Sequence, residues 1–242
     1  PRARAKGLDL RIIGTALRYH KAGEGADIWV RKDGPLQSAA DLKGKKLAVY
    51  SLGSSGITLI RIALANSHSF NVALENGDIE FVEMPPPGMP AALESGTIDA
   101  ATLIHAQAFK AQNTNAFRSI VSTAPDNYEK FGVRMVSAVL AGYGKKLDAN
   151  PGIHQEFLRL LHASVEYAKA NPDEVFSSVA EATGTDIEFF KRWFAEYSDF
   201  PVLINDEDMK AIQTLWDQAQ KLGMLKKSPD ISGAVWSETL ME

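Results

Sequence analysis

A run of six small and polar residues, Ser51-Leu52-Gly53-Ser54-Ser55-Gly56, is the part of the sequence best suited to holding a small molecule. It follows a short apolar segment typical of a buried strand and precedes apolar residues at helical spacing. Glycine lets a backbone approach a ligand closely, and a serine hydroxyl can cap a helix while donating hydrogen bonds. The first N–H groups of a helix favour an anion or a polar acceptor. The run therefore predicts a strand-to-helix corner that binds a polar group through Ser51, Gly53, Ser54, Ser55 and Gly56, although a capped turn without a ligand has the same sequence signature.

Catalytic and metal-binding motifs are absent from the sequence. The serine-glycine corner lacks the Gly-Lys-Ser/Thr ending of a nucleotide-binding loop and the G-x-S-x-G pattern of a hydrolase nucleophile. The acidic residues are spread over predicted helix surfaces and form no couple for general acid-base catalysis. The chain has no cysteine, and its five histidines form no metal-binding motif with a carboxylate. We therefore predict a protein without catalytic residues, bound metal or cofactor.

Four further residues are weaker candidates for ligand contacts. His105 ends a predicted parallel strand, which is where α/β sheets place their ligands, and Gln107 follows it closely. Arg18 and Tyr19 follow another predicted strand and supply a cation and an aromatic face. Each site also has an ordinary interpretation, because His105 could cap the next helix and Arg18-Tyr19-His20 could be a solvated loop.

The elements that position these residues alternate between strand and helix in the first half of the chain. Strands are predicted over residues 8–16, 27–31, 47–50, 79–84, 98–104 and 117–123, with helical stretches between most of them. This alternation implies βαβ crossovers, a mostly parallel sheet and an α/β fold. Residues 133–141 predict one more long strand, and almost everything after it is helical. The inward apolar face of one late helix would consist of Ile153, Phe157, Leu160, Leu161 and Ala168.

Composition excludes several classes of protein. The chain has 242 residues, of which 45% are hydrophobic and 23% are charged, so it can build an ordinary folded core. Its net charge of -4 argues against nucleic-acid binding, which needs a concentrated basic face. No apolar run reaches the roughly 18 residues of a membrane span. The first residues, Pro1 to Lys6, lack the apolar core of a signal peptide.

Two longer stretches of the sequence match a known pattern. The first runs from Ser38 to Val49 (SAADLKGKKLAV) and continues into Gly53-Ser54-Ser55, and the second is AALESGTIDA at residues 91–100. Further on, Asn150-Pro151 and the segment 170–174 (ANPDE) open predicted helices. In their order and spacing, between about residues 7 and 236, these segments resemble solute-binding proteins of ABC importers. The group concerned handles sulfonates, taurine, nitrate and thiamine-pyrimidine precursors.

The resemblance implies a two-lobed fold of the type II periplasmic binding proteins. Residues 1–36 would begin the first lobe, 37–138 would form the second, and 139–242 would return to the first and add C-terminal helices. Residues 27–33 and 133–141 would be the two crossover strands. A solute would sit in the cleft between the lobes, with the corner at Ser51–Gly56 holding its polar head and Arg18, Tyr19, His105 and Gln107 as further contacts. The resemblance also implies a periplasmic or lipid-anchored location and an ABC permease as partner.

Two departures from the family pattern qualify this expectation. Family members begin with two further strand-helix units, roughly 60 residues at about 30 per unit, that have no counterpart here. The first lobe would then be incomplete at its N-terminal side, with an exposed sheet edge that invites self-association. The second departure is His105-Ala106-Gln107, which stands where many relatives have an acidic or aromatic residue followed by proline.

The sequence therefore predicts capture of a small anionic or polar solute without chemistry. A sulfonate-like anion is the first candidate, because the corner offers donors and no carboxylate is evident near it in the sequence. A neutral heteroaromatic such as a pyrimidine is the second. The alternatives are an enzyme of thiamine-pyrimidine metabolism on the same fold, which would need more catalytic groups than His105 and His20, and a regulator's effector domain, which would need a DNA-binding helix pair.

Overall fold

The chain divides into two compact units, which the computed structural model describes over residues 1–23 and 27–242. Unit 1 comprises residues 1–20 and 133–242, and unit 2 comprises residues 21–132. From the sequence we expected the divisions further along the chain, after residues 36 and 138. Residues 24–26, which belong to the expected first segment 1–36, lie outside the described residues. The divisions differ because each of the two expected crossover strands pairs only with strands of a single unit and therefore belongs to that unit.

The seven predicted strands are all present in the predicted order, and the helices at Arg2–Ala5 and Thr123–Phe131 and the strand at Ser198–Asp199 are elements that the sequence did not predict. The strands are β1 (Leu10–Tyr19), β2 (Ile28–Arg31), β3 (Lys46–Val49), β4 (Glu80–Glu83), β5 (Ala100–Thr102), β6 (Phe117–Val121), β7 (Val136–Tyr143) and β8 (Ser198–Asp199). The helices are α1 (Arg2–Ala5), α2 (Ser55–Ser67), α3 (Met89–Ser95), α4 (Ala106–Asn113), α5 (Thr123–Phe131), α6 (Gly144–Ala149), α7 (Pro151–Ala170), α8 (Pro172–Thr183), α9 (Ile187–Arg192) and α10 (Asp206–Lys221). Short 3-10 turns cover Ala39–Leu42 and Pro86–Gly88, and a π-helical turn covers Trp193–Tyr197.

Unit 2 is built on a five-stranded sheet in the order β4-β3-β5-β2-β6. Strand β3 is parallel to β4 and β5, whereas β2 is antiparallel to β5 and β6. Four of the five strands therefore run in one direction, as the alternation of strands and helices predicts. The apolar run at the centre is completely covered, because Leu47, Ala48 and Val49 are at most 1% exposed. Gly96 ends α3 in the left-handed conformation with φ 73°, which glycine adopts without strain.

Unit 1 contains a three-stranded sheet in the order β7-β1-β8, and both pairings are antiparallel. The sequence pattern pointed to parallel strands, but β1 and β7 are separated along the chain by the whole of unit 2 and return in opposite directions. One core cluster of this unit joins the sheet to the C-terminal segment through Ile13, Leu147, Leu158, Val202 and Trp236. Strand β7 lies at the edge of the sheet, and Val139 and Tyr143 on it are 37% and 55% exposed.

The predicted apolar face of α7 is wrong for three of its five residues. Leu158 and Ala168 are buried, but Ile153, Phe157 and Leu160 are 67%, 49% and 60% exposed. The helix packs through Leu158 together with the partly buried Leu161 and Val165, and at about 100° per residue this leaves the other apolar stripe on a neighbouring, exposed side of the helix. Both stripes have helical spacing, so periodicity alone could not distinguish the one that packs.

The helices give no sign of a membrane span. Among the described residues, none combines the length and the apolar character needed to cross a bilayer.

Candidate functional site

The loops that follow β3, β4 and β5 meet at one edge of the unit 2 sheet. These three strands are neighbours and run parallel, so their carboxyl ends point the same way. Open α/β sheets bind ligands just beyond the carboxyl ends of their strands. We call this place the carboxyl edge and define it as residues 50–56 after β3, residues 83–86 at the end of β4 and residues 103–107 after β5.

Ser54 holds the corner together by capping α2. Its Oγ accepts a 3.2 Å hydrogen bond from the Ile57 N–H and donates a 3.1 Å bond to the Ser51 carbonyl oxygen. The Ser54 N–H also donates to the Ser51 carbonyl, at 3.2 Å. The predicted strand-to-helix corner is therefore present, and Ser54 satisfies one of the open N–H groups of the helix start. The next amide, the Gly56 N–H, has no protein acceptor in the described part of the chain.

Tyr50 packs closely against Gly56, where a larger residue would force the ring to shift. A Cβ atom on Gly56 would lie 2.5 Å from the Tyr50 hydroxyl oxygen. At Gly53 an added Cβ would meet no atom within 4 Å. The phenol ring therefore lies directly against the first turn of α2, where it adds an aromatic face and a hydroxyl group to the carboxyl edge. Sequence reasoning had not selected Tyr50.

Glu83 places a carboxylate at the corner, which the sequence did not lead us to expect. Its Oε2 atom accepts a 2.7 Å hydrogen bond from the Leu52 N–H. Glu83 is the last residue of β4 and is paired in register with Val49 of β3, so its side chain reaches the loop after β3. The expectation of a corner without a nearby carboxylate is therefore wrong. Glu83 lies 31 residues from Leu52 in sequence, and only the strand register brings them together.

His105 stands at the end of β5 in a strained backbone conformation. Its φ of 53° and ψ of -129° belong to a region that glycine favours, and strain of about 1–3 kcal/mol is typical of such residues. Strain of this kind is often found at ligand-binding sites. Although His105 keeps access to solvent, burial by the surrounding protein lowers the pKa of its imidazole, which is therefore neutral at pH 7.

Gln107 connects two loops of the carboxyl edge. Its Nε2 donates a hydrogen bond to the carbonyl oxygen of Pro86, in the loop after β4. Because β3 lies between β4 and β5, this bond joins the loops that follow the two neighbours of β3. The Oε1 atom of Gln107 is buried and has no hydrogen-bond partner among the described residues.

Arg18 and Tyr19 belong to unit 1 and are largely buried there. Arg18 is 3% exposed. Its Nη1 atom lies 2.9 Å from Asp208 Oδ1, and its Nη2 atom lies 2.6 Å from Asp199 Oδ2. Its Nε is buried without an acceptor in the described residues. The Tyr19 hydroxyl donates a 3.3 Å hydrogen bond to Ser137 Oγ. These contacts give Arg18 and Tyr19 structural roles at the end of β1.

The structure thus brings seven of the nine predicted site residues to one edge of unit 2 and places the other two in unit 1. A metal centre is not part of this arrangement, because no group of three or more histidine, aspartate or glutamate side chains within residues 1–23 and 27–242 could hold an ion. What the carboxyl edge offers is a set of hydrogen-bonding groups, one carboxylate, one neutral imidazole and one phenol ring. Such groups are chemically suited to a small polar molecule.

Comparison with solved structures identifies the fold. The periplasmic aliphatic sulphonate binding protein SsuA from Escherichia coli superposes with a TM-score of 0.76 at 20% identity, over 99% of this chain and 73% of that one. The alkanesulfonate-binding protein SsuA from Xanthomonas axonopodis pv. citri, solved bound to MOPS, gives 0.75 at 21% identity, over 97% and 76%. The desulfurization enzyme DSZB gives 0.64 at 19% identity, over 94% and 76%. At these identities the likeness establishes the α/β fold of periplasmic binding proteins.

Comparison at the level of sequence identifies the family. No curated protein matches the chain. The family model described as NMT1/THI5 like matches residues 2–175, which is well over half of the sequence. The chain therefore belongs to the NMT1/THI5-like family.

Proposed function

We propose that this protein is the solute-binding component of an ABC importer and captures a small anionic or polar solute at the carboxyl edge of unit 2. The observation that supports this most strongly is the meeting of three parallel strand ends at a capped serine-glycine corner, with His105 and Gln107 beside it. Hydrogen-bonding groups held on a rigid sheet edge can orient a ligand without performing a reaction on it.

A sulfonate-like head group is the first candidate for the solute. The Gly56 N–H and the positive end of the α2 dipole can receive an acceptor oxygen. The two sulfonate-binding proteins that share the fold also support a sulfonate-like solute. A heteroaromatic such as a pyrimidine is the second candidate, since Tyr50 supplies a ring face at the same edge. The proposal includes a periplasmic or lipid-anchored location and a permease as partner.

The experiment that tests this proposal is a thermal-shift screen followed by calorimetry. The purified protein is heated with alkanesulfonates, nitrate and pyrimidines, and a ligand at 100 times its Kd stabilises the protein by about 2.7 kcal/mol. The double variant Ser54→Ala/Ser55→Ala is then measured with any ligand that binds. We expect the affinity of an anion to fall steeply, whereas a ligand held mainly by ring stacking keeps most of its affinity.

Loss of the helix cap must be separated from loss of ligand contacts, because Ser54 serves both purposes. Asp186 provides a matched control, since it caps α9 in unit 1 by accepting a 3.0 Å hydrogen bond from the Glu188 N–H. Asp186→Ala removes a cap of the same kind, at about 1 kcal/mol, without touching the carboxyl edge. If it weakens ligand binding as much as the serine double variant does, the corner is not the binding site.

An enzyme of thiamine-pyrimidine metabolism on the same fold is the second candidate function. The observation in its favour is the strained His105, whose neutral imidazole could accept a proton. Incubation of the protein with pyrimidine ligands that bind, followed by mass spectrometry, separates the two functions. A binding protein returns the ligand unchanged, and an enzyme yields a product that His105→Asn abolishes.

A further inference from the structure

Helix α7 carries a second apolar stripe on an exposed side of unit 1. The helix packs on the core through Leu158, whereas Ile153, Phe157 and Leu160 are all at least 49% exposed. These three residues are four and three positions apart, so their side chains lie above one another on one side of the helix. We call them the α7 stripe. Contiguous exposed apolar residues of this kind mark a surface that another macromolecule covers.

A flank of small and charged residues runs beside the α7 stripe, and its order is self-complementary. It consists of Gly152, Glu156, Arg159 and Ala163, which are all exposed and follow one another at intervals of four, three and four residues. Read in reverse, the flank keeps the same spacing and the small residues at its ends, and it exchanges the acid for the base. An added Cβ atom on Gly152 would meet no atom within 4 Å, so a neighbouring helix can approach this flank closely.

The charges of the flank favour a second copy of the chain over other occupants. Glu156 Oε2 and Arg159 Nη1 are 3.1 Å apart, and both side chains are 57% exposed, so each can also reach a further partner. If α7 of another copy lies antiparallel, Glu156 faces Arg159 of that copy and Arg159 faces its Glu156. The two pairs then form one network of alternating charge. A membrane surface would instead need a flank rich in lysine and arginine.

We propose that a second copy of this chain covers the α7 stripe, with the two α7 helices antiparallel and their two-fold axis beside Phe157. A two-fold interface uses the same surface on both copies and must be self-complementary, as the flank is. In this arrangement the two Phe157 rings meet at the axis, and Ile153 packs beside Leu160 of the other copy. The apolar contact is small, so pairing depends on protein concentration. The proposal concerns unit 1 and does not rest on the proposed function.

Reversal of the two charges tests the flank, with the full chain studied by sedimentation equilibrium. Glu156→Arg and Arg159→Glu each set like charges opposite one another across the axis. We expect each variant alone to dimerise with a dissociation constant about fivefold or more above that of the wild type. An equimolar mixture of the two variants should recover the wild-type affinity, because two arginines then face two glutamates. The pair within each variant chain stays repulsive in the mixture, so the recovery comes from contacts between chains.

Glu188→Arg is the matched control. Glu188 lies on α9, has the same 57% exposure as Glu156 and forms an ion pair with the residue three positions later, Lys191. We expect this variant to dimerise as the wild type does.

Cysteine trapping tests the position of the axis, and the wild-type chain has no cysteine that could interfere. In Phe157→Cys the two thiols lie beside the axis, within the roughly 7 Å between Cα atoms that a disulfide requires. In Ser164→Cys they are about 20 Å apart, because each lies seven residues from the axis in opposite directions. Under the same mild oxidation we expect Phe157→Cys to form the linked dimer about tenfold faster or more.

A wild type that stays monomeric as its concentration rises overturns the proposal, and the α7 stripe then has another occupant. A mixture of the two reversed variants that dimerises no better than either alone also overturns it. So do equal rates of disulfide formation in the two cysteine variants. Solute binding is not measured in any of these experiments, so their failure leaves the proposed function intact.

Discussion

Asp208 Oδ1 lies 2.9 Å from Arg18 Nη1, and both side chains are almost completely buried in unit 1. The other oxygen of Asp208 accepts a 2.9 Å hydrogen bond from Thr15 Oγ1, and the Asp208 N–H donates to Asn205 Oδ1 at 3.0 Å. One carboxylate thus ties the start of α10 to the middle and the end of β1. A buried carboxylate with this many partners is a structural anchor.

Removal of the anchor is expected to destabilise unit 1 strongly. Asp208→Ala leaves the Arg18 guanidinium buried with one partner fewer, and breaking a buried pair in this way costs about 3–5 kcal/mol. Urea unfolding followed by circular dichroism measures the change. Glu156→Gln is the control, because Glu156 forms an ion pair with Arg159 in which both side chains are 57% exposed. We expect this substitution to change the free energy of unfolding by less than about 0.5 kcal/mol. Equal effects of the two substitutions would contradict the anchoring role.

Acid is expected to weaken unit 1 through Asp199. Burial raises the pKa of this carboxyl, but the hydrogen bond and the charge of Arg18, with Lys169 and Arg134, outweigh burial and lower it overall. Because the folded-state pKa lies below the unfolded one, the stabilisation is complete above the ordinary carboxyl value of about 4 and is lost as the pH falls further. Urea midpoints between pH 2.5 and 7 should show this loss. Asp199→Asn should flatten the curve in the acid range.

His20 should add a second pH dependence nearer to neutrality. Burial lowers the pKa of its imidazole, and burial together with the positive charges of Arg134, Arg18 and Lys169 outweighs the opposing effect of Asp199. The folded state therefore binds fewer protons than the unfolded state, so stability is full above about pH 6.5 and declines as the pH falls toward the folded-state pKa. His20→Gln should remove this decline from the unfolding curves. A decline in stability of the same size in His20→Gln would show that groups other than His20 cause it.

The contact between Gly56 and Tyr50 predicts a defect in binding. Gly56→Ala places a methyl group against the Tyr50 hydroxyl and pushes the ring out of position. We expect a loss of about 1–3 kcal/mol in stability and a weaker affinity for any ligand of the carboxyl edge. Gly53→Ala is the control for the loss of stability, because its methyl group meets no protein atom within 4 Å. Tyr50→Phe in the Gly56→Ala background should recover part of the stability by relieving the contact.

The exposed apolar surface of unit 1 predicts self-association at high concentration. Strand β7 is an edge strand without a charged residue, and α7 exposes Ile153 and Leu160. Edges and apolar surfaces of this kind favour pairing between molecules. Light scattering at increasing concentration should show a rising mass that Ile153→Lys/Leu160→Lys reduces. Leu74→Lys, at an exposed leucine of unit 2, should leave the mass unchanged.

Local signals in the sequence predicted much of the fold. Gly96 is the kind of residue that ends a helix and does end α3, and Asn171-Pro172 correctly marked the start of α8. Both signals depend on backbone geometry within a few residues, which a sequence displays directly. The N-terminal cap of α9 is Asp186, and the neighbouring Thr185 is also a residue type that caps helices, so residue type alone does not fix which of the two serves.

Long-range partners account for what the sequence did not reveal. The partners of Arg18 are Asp199 and Asp208, more than 180 residues away, so a buried anchor looked like an accessible cation. Glu83 was missed for a similar reason, because its role depends on the register of β4 against β3. A search for acidic residues at the last position of strands beside the corner could have found it. No local pattern could have found the partners of Arg18.

The backbone at His105 has one more consequence. Glycine would adopt the same φ and ψ without strain, so the backbone at this position favours glycine even after the extra conformational entropy that glycine loses on folding, about 0.5–1 kcal/mol. The imidazole is therefore kept at a backbone cost. A side chain retained against its backbone is what the proposed binding role of the carboxyl edge would require.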